Sequence, residues 1–300
     1  ALLSDNIVAI LRAAGDTHGA ITNPHRNAAD LTRRDFIRDG SVASLLGMLG
    51  AVELRAAAPT NDEVKKATGP KVKLGVIGLG PRGRDIITSL QLQAEAEIAV
   101  ICDHYPVALR RSATNVPGAK TTEDYQTILD DKEIKAVVIA TPSHQHKDIA
   151  LAALKAGKHV YCEAPMATTI EDNKTIAAAA RAAVGQVFQP GLSMRADPQR
   201  HFLLQFIRSG AAGRPVMARA QWHKKQSWRQ ASPNPERETE INWRLDKTLS
   251  IGLAGEIGVQ QIDMMNWLLR VVATAVTGFG GGGRWAGGGG GAGRAQFVFE

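Results

Sequence analysis

From residue 71 to residue 191, short apolar runs alternate with stretches of helical periodicity, a rhythm that predicts successive β-then-α units. Residues 73–77 read Lys-Leu-Gly-Val-Ile, an apolar run of strand length, and 85–90 continue with helical spacing. Further strands are predicted at 97–102, 136–140, 159–163 and 186–189. Helices are predicted at 144–156, closed by Gly157, and at 169–183. Parallel neighbours need a crossover connection and a helix supplies it compactly, so the fold class is α/β with a doubly wound parallel sheet.

The flanks differ in texture. Arg33-Arg34, followed by Phe36 and Ile37, resembles a twin-arginine export signal, and 40–52 is an uncharged, moderately apolar run behind it. Ala56-Ala57-Ala58 offers a small-residue cleavage site before Pro59. Residues 1–58 are therefore expected to be a signal region read by the twin-arginine machinery, and 59–70 a polar linker. Export to the periplasm or beyond follows from that expectation. Near the other end, 11 of the 16 residues from 278 to 293 are glycine, which leaves open a flexible segment or a glycine-rich replacement of strand and turn. Residues 295–300 read as one more strand.

Composition narrows the function classes. The net charge of +7 comes from scattered basic residues, and with aromatics at 5% there are few platforms for stacking bases, so no nucleic-acid partner is expected. No apolar run reaches the roughly 18 residues of a membrane-spanning helix, so no stable membrane insertion is expected. Two cysteines, Cys102 and Cys162, end separate strands about three sheet positions apart and are expected to be free thiols. No metal-ligand spacing occurs, and no metal is expected.

The turn after the first strand carries the chemistry. Gly78-Leu79-Gly80-Pro81-Arg82-Gly83 sits between a strand and a helix, the context in which G-x-G-x-x-G binds a dinucleotide. Gly78 permits the tight turn, Gly80 lets the backbone approach a pyrophosphate, and Gly83 allows close helix–strand packing. Asp103 ends the second strand 20 residues beyond Gly83. A carboxylate there accepts from an adenosine ribose and repels a 2′-phosphate, so NAD is favoured over NADP.

Four segments together resemble the glucose–fructose oxidoreductase / inositol dehydrogenase (Gfo/Idh/MocA) family. They are Gly75-Val-Ile-Gly-Leu-Gly80, Ala140-Thr-Pro-Ser-His-Gln-His146, Cys162-Glu-Ala-Pro-Met166 and Gly255-Glu-Ile-Gly-Val-Gln-Gln-Ile-Asp263 with Trp267 after it. The resemblance implies a Rossmann domain at 71–191 followed by an α+β open-sheet domain at 192–300, which often mediates oligomers in the family. Relatives generally continue further, so an incomplete second domain is expected. It also implies that Thr141, Pro142, His146 and Glu163 lie around the nicotinamide, and that the activity is hydride transfer between NAD(P) and a carbon of a sugar or polyol.

The departures bear on mechanism. Where the family usually has Glu-Lys-Pro, this chain has Glu163-Ala164-Pro165; where it has Asp-x-x-x-His, this chain has Glu256 and Gln260. Alanine cannot ease a hydroxyl proton, and glutamine orients a hydroxyl without accepting its proton. Glu256 is then the expected base, with Gln260 orienting the hydroxyl and Glu163 beside the nicotinamide. Arg195 and Asp263 are candidate substrate contacts. So are His223 and Lys225, in a stretch bounded by Trp222 and Trp228. His159 and His201 read as structural.

Three functions fit: an exported NAD-dependent oxidoreductase acting on a sugar, polyol or derivative; an NAD-dependent glycoside hydrolase with transient oxidation, of the α-N-acetylgalactosaminidase type; or a non-catalytic dinucleotide- or sugar-binding relative.

Overall fold

The computed structural model describes residues 71–210, 213, 217–220, 229–232, 234–270, 275–282 and 293–299. The signal region, the linker and the 221–228 stretch that carries His223 and Lys225 lie outside the described residues. The first described unit holds β1 (Val72–Ile77), β2 (Ala96–Cys102), β3 (Lys120–Thr122), β4 (Ala136–Ile139), β5 (His159–Glu163) and β6 (Phe188–Gly191). These form one sheet in the order β3-β2-β1-β4-β5-β6 with every ladder parallel. The order runs outward in both directions from the β1–β4 pair. The winding across the sheet reverses there, the switch point at whose carboxyl-terminal edge open α/β sheets bind their ligands.

The crossovers are α1 (Pro81–Gln91), α2 (Pro106–Asn115), α3 (Gln126–Asp130), α4 (His146–Lys155) and α5 (Ile170–Ala182). Helices on both faces explain the continuous apolar strand runs. Leu74, Val76, Ile86, Leu90, Ile101 and Tyr161 fill one core, whereas Ile77, Ile128, Val137, Ile139, Leu154 and Val160 fill the other. Thr169 caps α5, its hydroxyl oxygen accepting from the Asp172 N–H at 3.1 Å.

The last strand starts two residues later than the sequence predicts. Gln186 and Val187 are taken up before the ladder begins: Gln186 Nε2 donates to the Leu154 and Lys158 carbonyls, and the Val187 N–H donates to His159 Nδ1 at 3.0 Å. Cys102 and Cys162 are both free and buried at the ends of β2 and β5, as expected. Burial pushes both thiols up, Cys102 to about 12.

Beyond β6 come α6 (Pro198–Arg208), α7 (Pro235–Ile241), α8 (Gly252–Glu256) and α9 (Gly258–Leu269). Strands β7 (Val276–Gly282) and β8 (Gly293–Phe299) then pair antiparallel. The glycine-rich run is thus strand as far as Gly282, while 283–292 lies outside the described residues. Among the described residues no helix is long and apolar enough to cross a membrane.

Candidate functional site

The glycine-rich turn leaves β1 with Gly78 at φ 95°, and the Gly78 N–H donates to the Cys102 carbonyl at 2.9 Å. Its α-carbon is pressed against β4: a Cβ there would stand 2.7 Å from the Ala140 carbonyl carbon. At Gly83 a Cβ would stand 1.9 Å from the Gly78 oxygen, so α1 can approach the turn only with glycine at this position. Gly80 is different. A Cβ there would meet nothing within 4 Å, so the missing side chain opens the turn outward and not inward. Gly80 is also the N-cap of α1, with no side-chain cap and no acidic residue in the first turn, so the helix's first amides remain available to an anion. That open approach, the uncapped helix start and the parallel switch point together fit a dinucleotide pyrophosphate.

Asp103 supports the turn from β2. Its Oδ2 accepts from the Leu79 N–H at 2.8 Å and its Oδ1 from the Tyr105 N–H at 2.9 Å. A carboxylate has about four lone-pair sites, so it can also accept ribose hydroxyls. Helix α7 lies against this end: Glu240 contacts His104, and the Arg237 guanidinium lies 4.0 Å above the Tyr105 ring. Arg82, within the turn, pairs with Glu163 across 2.9 Å, and the Tyr161 hydroxyl donates to the same carboxylate oxygen at 2.8 Å. Burial pushes the Glu163 carboxyl up against the opposing pull of these two partners.

At the end of β4 the segment 141–146 folds back on the loop after β5. His146 is fully buried, with Nδ1 2.8 Å from the Pro165 carbonyl and Nε2 2.8 Å from the Thr141 carbonyl. Burial lowers its proton affinity, and the neutral ring donates to one of these carbonyls while the other lies against its second nitrogen, so His146 bridges the loops after β4 and β5. Thr141 contributes a buried Oγ1 with no partner among the described residues, and Pro142 starts the 3-10 turn Ser143–Gln145.

Glu256 is brought to this edge. Its Oε1 accepts from the Ser143 hydroxyl at 2.8 Å and from the Ser250 hydroxyl at 3.1 Å, and the residue is buried. Gln260, four residues further on and in the first turn of α9, donates from Nε2 to the Gly191 carbonyl at 3.0 Å, leaving its buried Oε1 without a partner among the described residues. Gly191 packs against the backbone of Glu163 and Ala164. The two departures, Ala164 and Gln260, are thus set around one short stretch of main chain.

Arg195 and Asp263, two of the candidate substrate contacts, come together in the structure. They bind each other in a two-pronged pair, Nε to Oδ2 at 2.7 Å and Nη2 to Oδ1 at 2.6 Å, which ties the turn after β6 to α9. His201 is structural, its Nε2 at 2.6 Å from the Arg195 carbonyl and its ring edge-on to Trp267.

Sequence reasoning missed three residues of this cluster. His144 lies edge-to-face on Trp243 at 5.7 Å between ring centroids, and the Arg244 guanidinium covers the Trp243 ring at 4.2 Å. The available signal was the Trp243-Arg244 dipeptide just before the Glu256 segment, together with His144 inside the quoted 140–146 motif.

Residues 72–191 match the model of the GFO/IDH/MocA oxidoreductase family with its NAD-binding Rossmann fold, and residues 202–294 match the GFO/IDH/MocA C-terminal domain. The chain belongs to the GFO/IDH/MocA family. Among its GFO/IDH/MocA relatives, levoglucosan dehydrogenase of Pseudarthrobacter phenanthrenivorans is 33% identical over 171 residues, covering 57% of this chain and 42% of that one. Inositol 2-dehydrogenase of Salmonella typhimurium is 30% identical over 203 residues, covering 66% and 54%. An oxidoreductase domain protein from Kribbella flavida superposes with a TM-score of 0.58 at 28% identity, over 70% of this chain and 56% of that one. The chain spans about half the length of the curated relatives it matches.

Proposed function

We propose that the chain binds NAD and oxidises a hydroxyl-bearing carbon of a sugar, polyol or sugar derivative. The observation that carries this is Glu256, drawn from the second segment to within 2.8 Å of Ser143 at the carboxyl end of β4, at the switch point. The named activities of the relatives, on levoglucosan and on inositol, support the substrate class.

The backbone from Gly78 to Gly83 and the start of α1 would hold the pyrophosphate. Asp103 would accept the adenosine ribose hydroxyls, and its charge favours NAD over NADP. Thr141 and Glu163 would border the nicotinamide end. Bound NAD supplies a hydride acceptor; the protein's residues must position the alcohol and remove its proton. Gln260, with an uncommitted carbonyl oxygen, would orient the hydroxyl by accepting from it. Glu256, held by two serine hydroxyls, provides the negative charge that favours transfer of that proton. Export by the twin-arginine route, supported by the Arg33-Arg34 segment, would place this chemistry outside the cytoplasm.

The test mixes NAD-loaded protein with a panel of polyols, free sugars and aryl glycosides while nicotinamide absorbance and aglycone release are read together. Lasting NADH formation is the expected result. Aglycone release without net NADH would replace this reading with redox-assisted glycoside hydrolysis. Silence in both channels with NADH demonstrably bound would leave a binding protein.

A further inference from the structure

A histidine with an uncommitted nitrogen, His144, stands within electrostatic reach of Glu256. The Nδ1 of His144 is buried and has no hydrogen-bond partner among the described residues. Every other described histidine is engaged: His146 with two carbonyls, His159 with the Val187 N–H, His201 with the Arg195 carbonyl and His104 with Glu240. Trp243 fixes the His144 ring edge-on at 5.7 Å. Next to it in the chain, Ser143 donates to Glu256, so the imidazole stands one residue from the carboxylate's anchor. Two more buried oxygens of the same cluster, Thr141 Oγ1 and Gln260 Oε1, have no partner among the described residues. Buried polar atoms without partners are costly, and ligand hydroxyls would relieve that cost.

Resting on the dehydrogenase reading above, we propose that His144 accepts the hydroxyl proton of the substrate alcohol, the role that Gln260 cannot fill. In that step the O–H bond breaks and its proton moves to the neutral imidazole. The carbinol C–H bond breaks with its electron pair passing as hydride to oxidised nicotinamide, and the carbon–oxygen bond becomes a carbonyl. The alcohol loses two electrons, the nicotinamide gains them, and the proton leaves the imidazole to water.

The surroundings suit a ring that is neutral before the step. Glu256 from α8 and Asp246 after the Trp243 turn favour the imidazolium, burial opposes it more strongly, and the net proton affinity falls below the ordinary histidine value of 6.5. Arg244, over the Trp243 ring, and His146, from the adjoining turn, are the other titratable groups of the cluster. Glu256 stays close enough to favour the imidazolium once the proton arrives.

The experiment compares wild type with His144→Gln and Glu256→Gln, using NADH fluorescence titration, kcat against pH on the best panel substrate, and ¹⁵N-histidine NMR of cofactor-free protein. His144→Gln should lose at least about 100-fold in kcat while its NADH affinity stays within twofold, and should lose the acid limb expected of wild type below pH 6.5. In the NMR arm, His144 should be neutral at pH 7 and titrate lower still in Glu256→Gln. A His144→Gln variant within threefold of wild type, an acid limb that survives, or an imidazole still protonated at pH 7 would each overturn the assignment. A wild type that binds NADH but oxidises nothing would instead overturn the dehydrogenase reading on which it rests.

Discussion

Arg82, in the first turn of α1, forms a 2.9 Å ion pair with Glu163 at the end of β5, joining the helix that follows β1 to the strand two places away. Burial raises the Glu163 carboxyl above its ordinary 4.5, with Arg82 and the Tyr161 hydroxyl opposing the rise. A carboxyl whose folded value is raised favours the folded state most when protonated. Its contribution is therefore present below 4.5 and lost as pH climbs through the folded value. Glu163→Gln does not titrate, so its melting temperature relative to wild type should increase as the pH is raised across this range. Arg82→Met should extend the loss to higher pH. Thermal melts of the three proteins across the acid range check this, and a difference independent of pH would refute it.

Two glycines of one turn should behave oppositely. Gly83→Ala forces a Cβ to 1.9 Å from a backbone oxygen that cannot step aside, and should cost about 3 kcal/mol or more. Gly80→Ala adds its methyl to open space at an extended backbone conformation that alanine accepts, and should change stability by less than about 1 kcal/mol. The space it takes is the one proposed for the pyrophosphate, so its NADH affinity should fall at least tenfold. Denaturant melts and fluorescence titration of both variants separate the effects. Unchanged NADH binding by Gly80→Ala would remove the pyrophosphate from that position.

The sequence carried five of this domain's six strands and three of its five helices, because their signals are local: an apolar run, a glycine turn and a helix follow one another within 20 residues in β1–α1. The three-residue β3, and the polar α2 and short α3 beside it, leave no such run. The candidate site was less legible because it is assembled from distant segments. Ser143 meets Glu256 across 113 positions and Arg195 meets Asp263 across 68, and no periodicity reports such pairings. His146 shows the same limit in reverse. Its place in a motif suggests chemistry, but the carbonyls of Thr141 and Pro165 lie against its two nitrogens, and only the fold brings them there.

The Arg195–Asp263 pair should act on stability and not on substrate affinity. Its two-pronged geometry is good, but Arg195 is 40% exposed, so a double-mutant cycle with Arg195→Gln and Asp263→Asn should give a coupling of about 1 kcal/mol. The KM for the best polyol should stay within twofold of wild type in all three variants. A KM raised more than tenfold with stability intact would return Arg195 to the role of substrate anchor.

Restoring the family pattern tests the proton route directly. Gln260 donates to the carbonyl of Gly191, whose α-carbon packs on the backbone of Ala164, so substitutions at 260 and 164 act on one small volume. A lysine at 164 would ease loss of the hydroxyl proton by placing an ammonium beside the nascent alkoxide, and a histidine at 260 would supply a second acceptor for it. The double variant Ala164→Lys/Gln260→His should raise kcat at least about tenfold, and each single change should do less, because easing a proton and accepting it are parts of one transfer. In that background His144→Gln should cost far less than in wild type, since the introduced imidazole offers the proton another destination. The measurement is kcat for the four proteins with and without His144→Gln. An equal penalty in both backgrounds would mean that the two imidazoles do not share a role, and that the proton leaves the alcohol by another path.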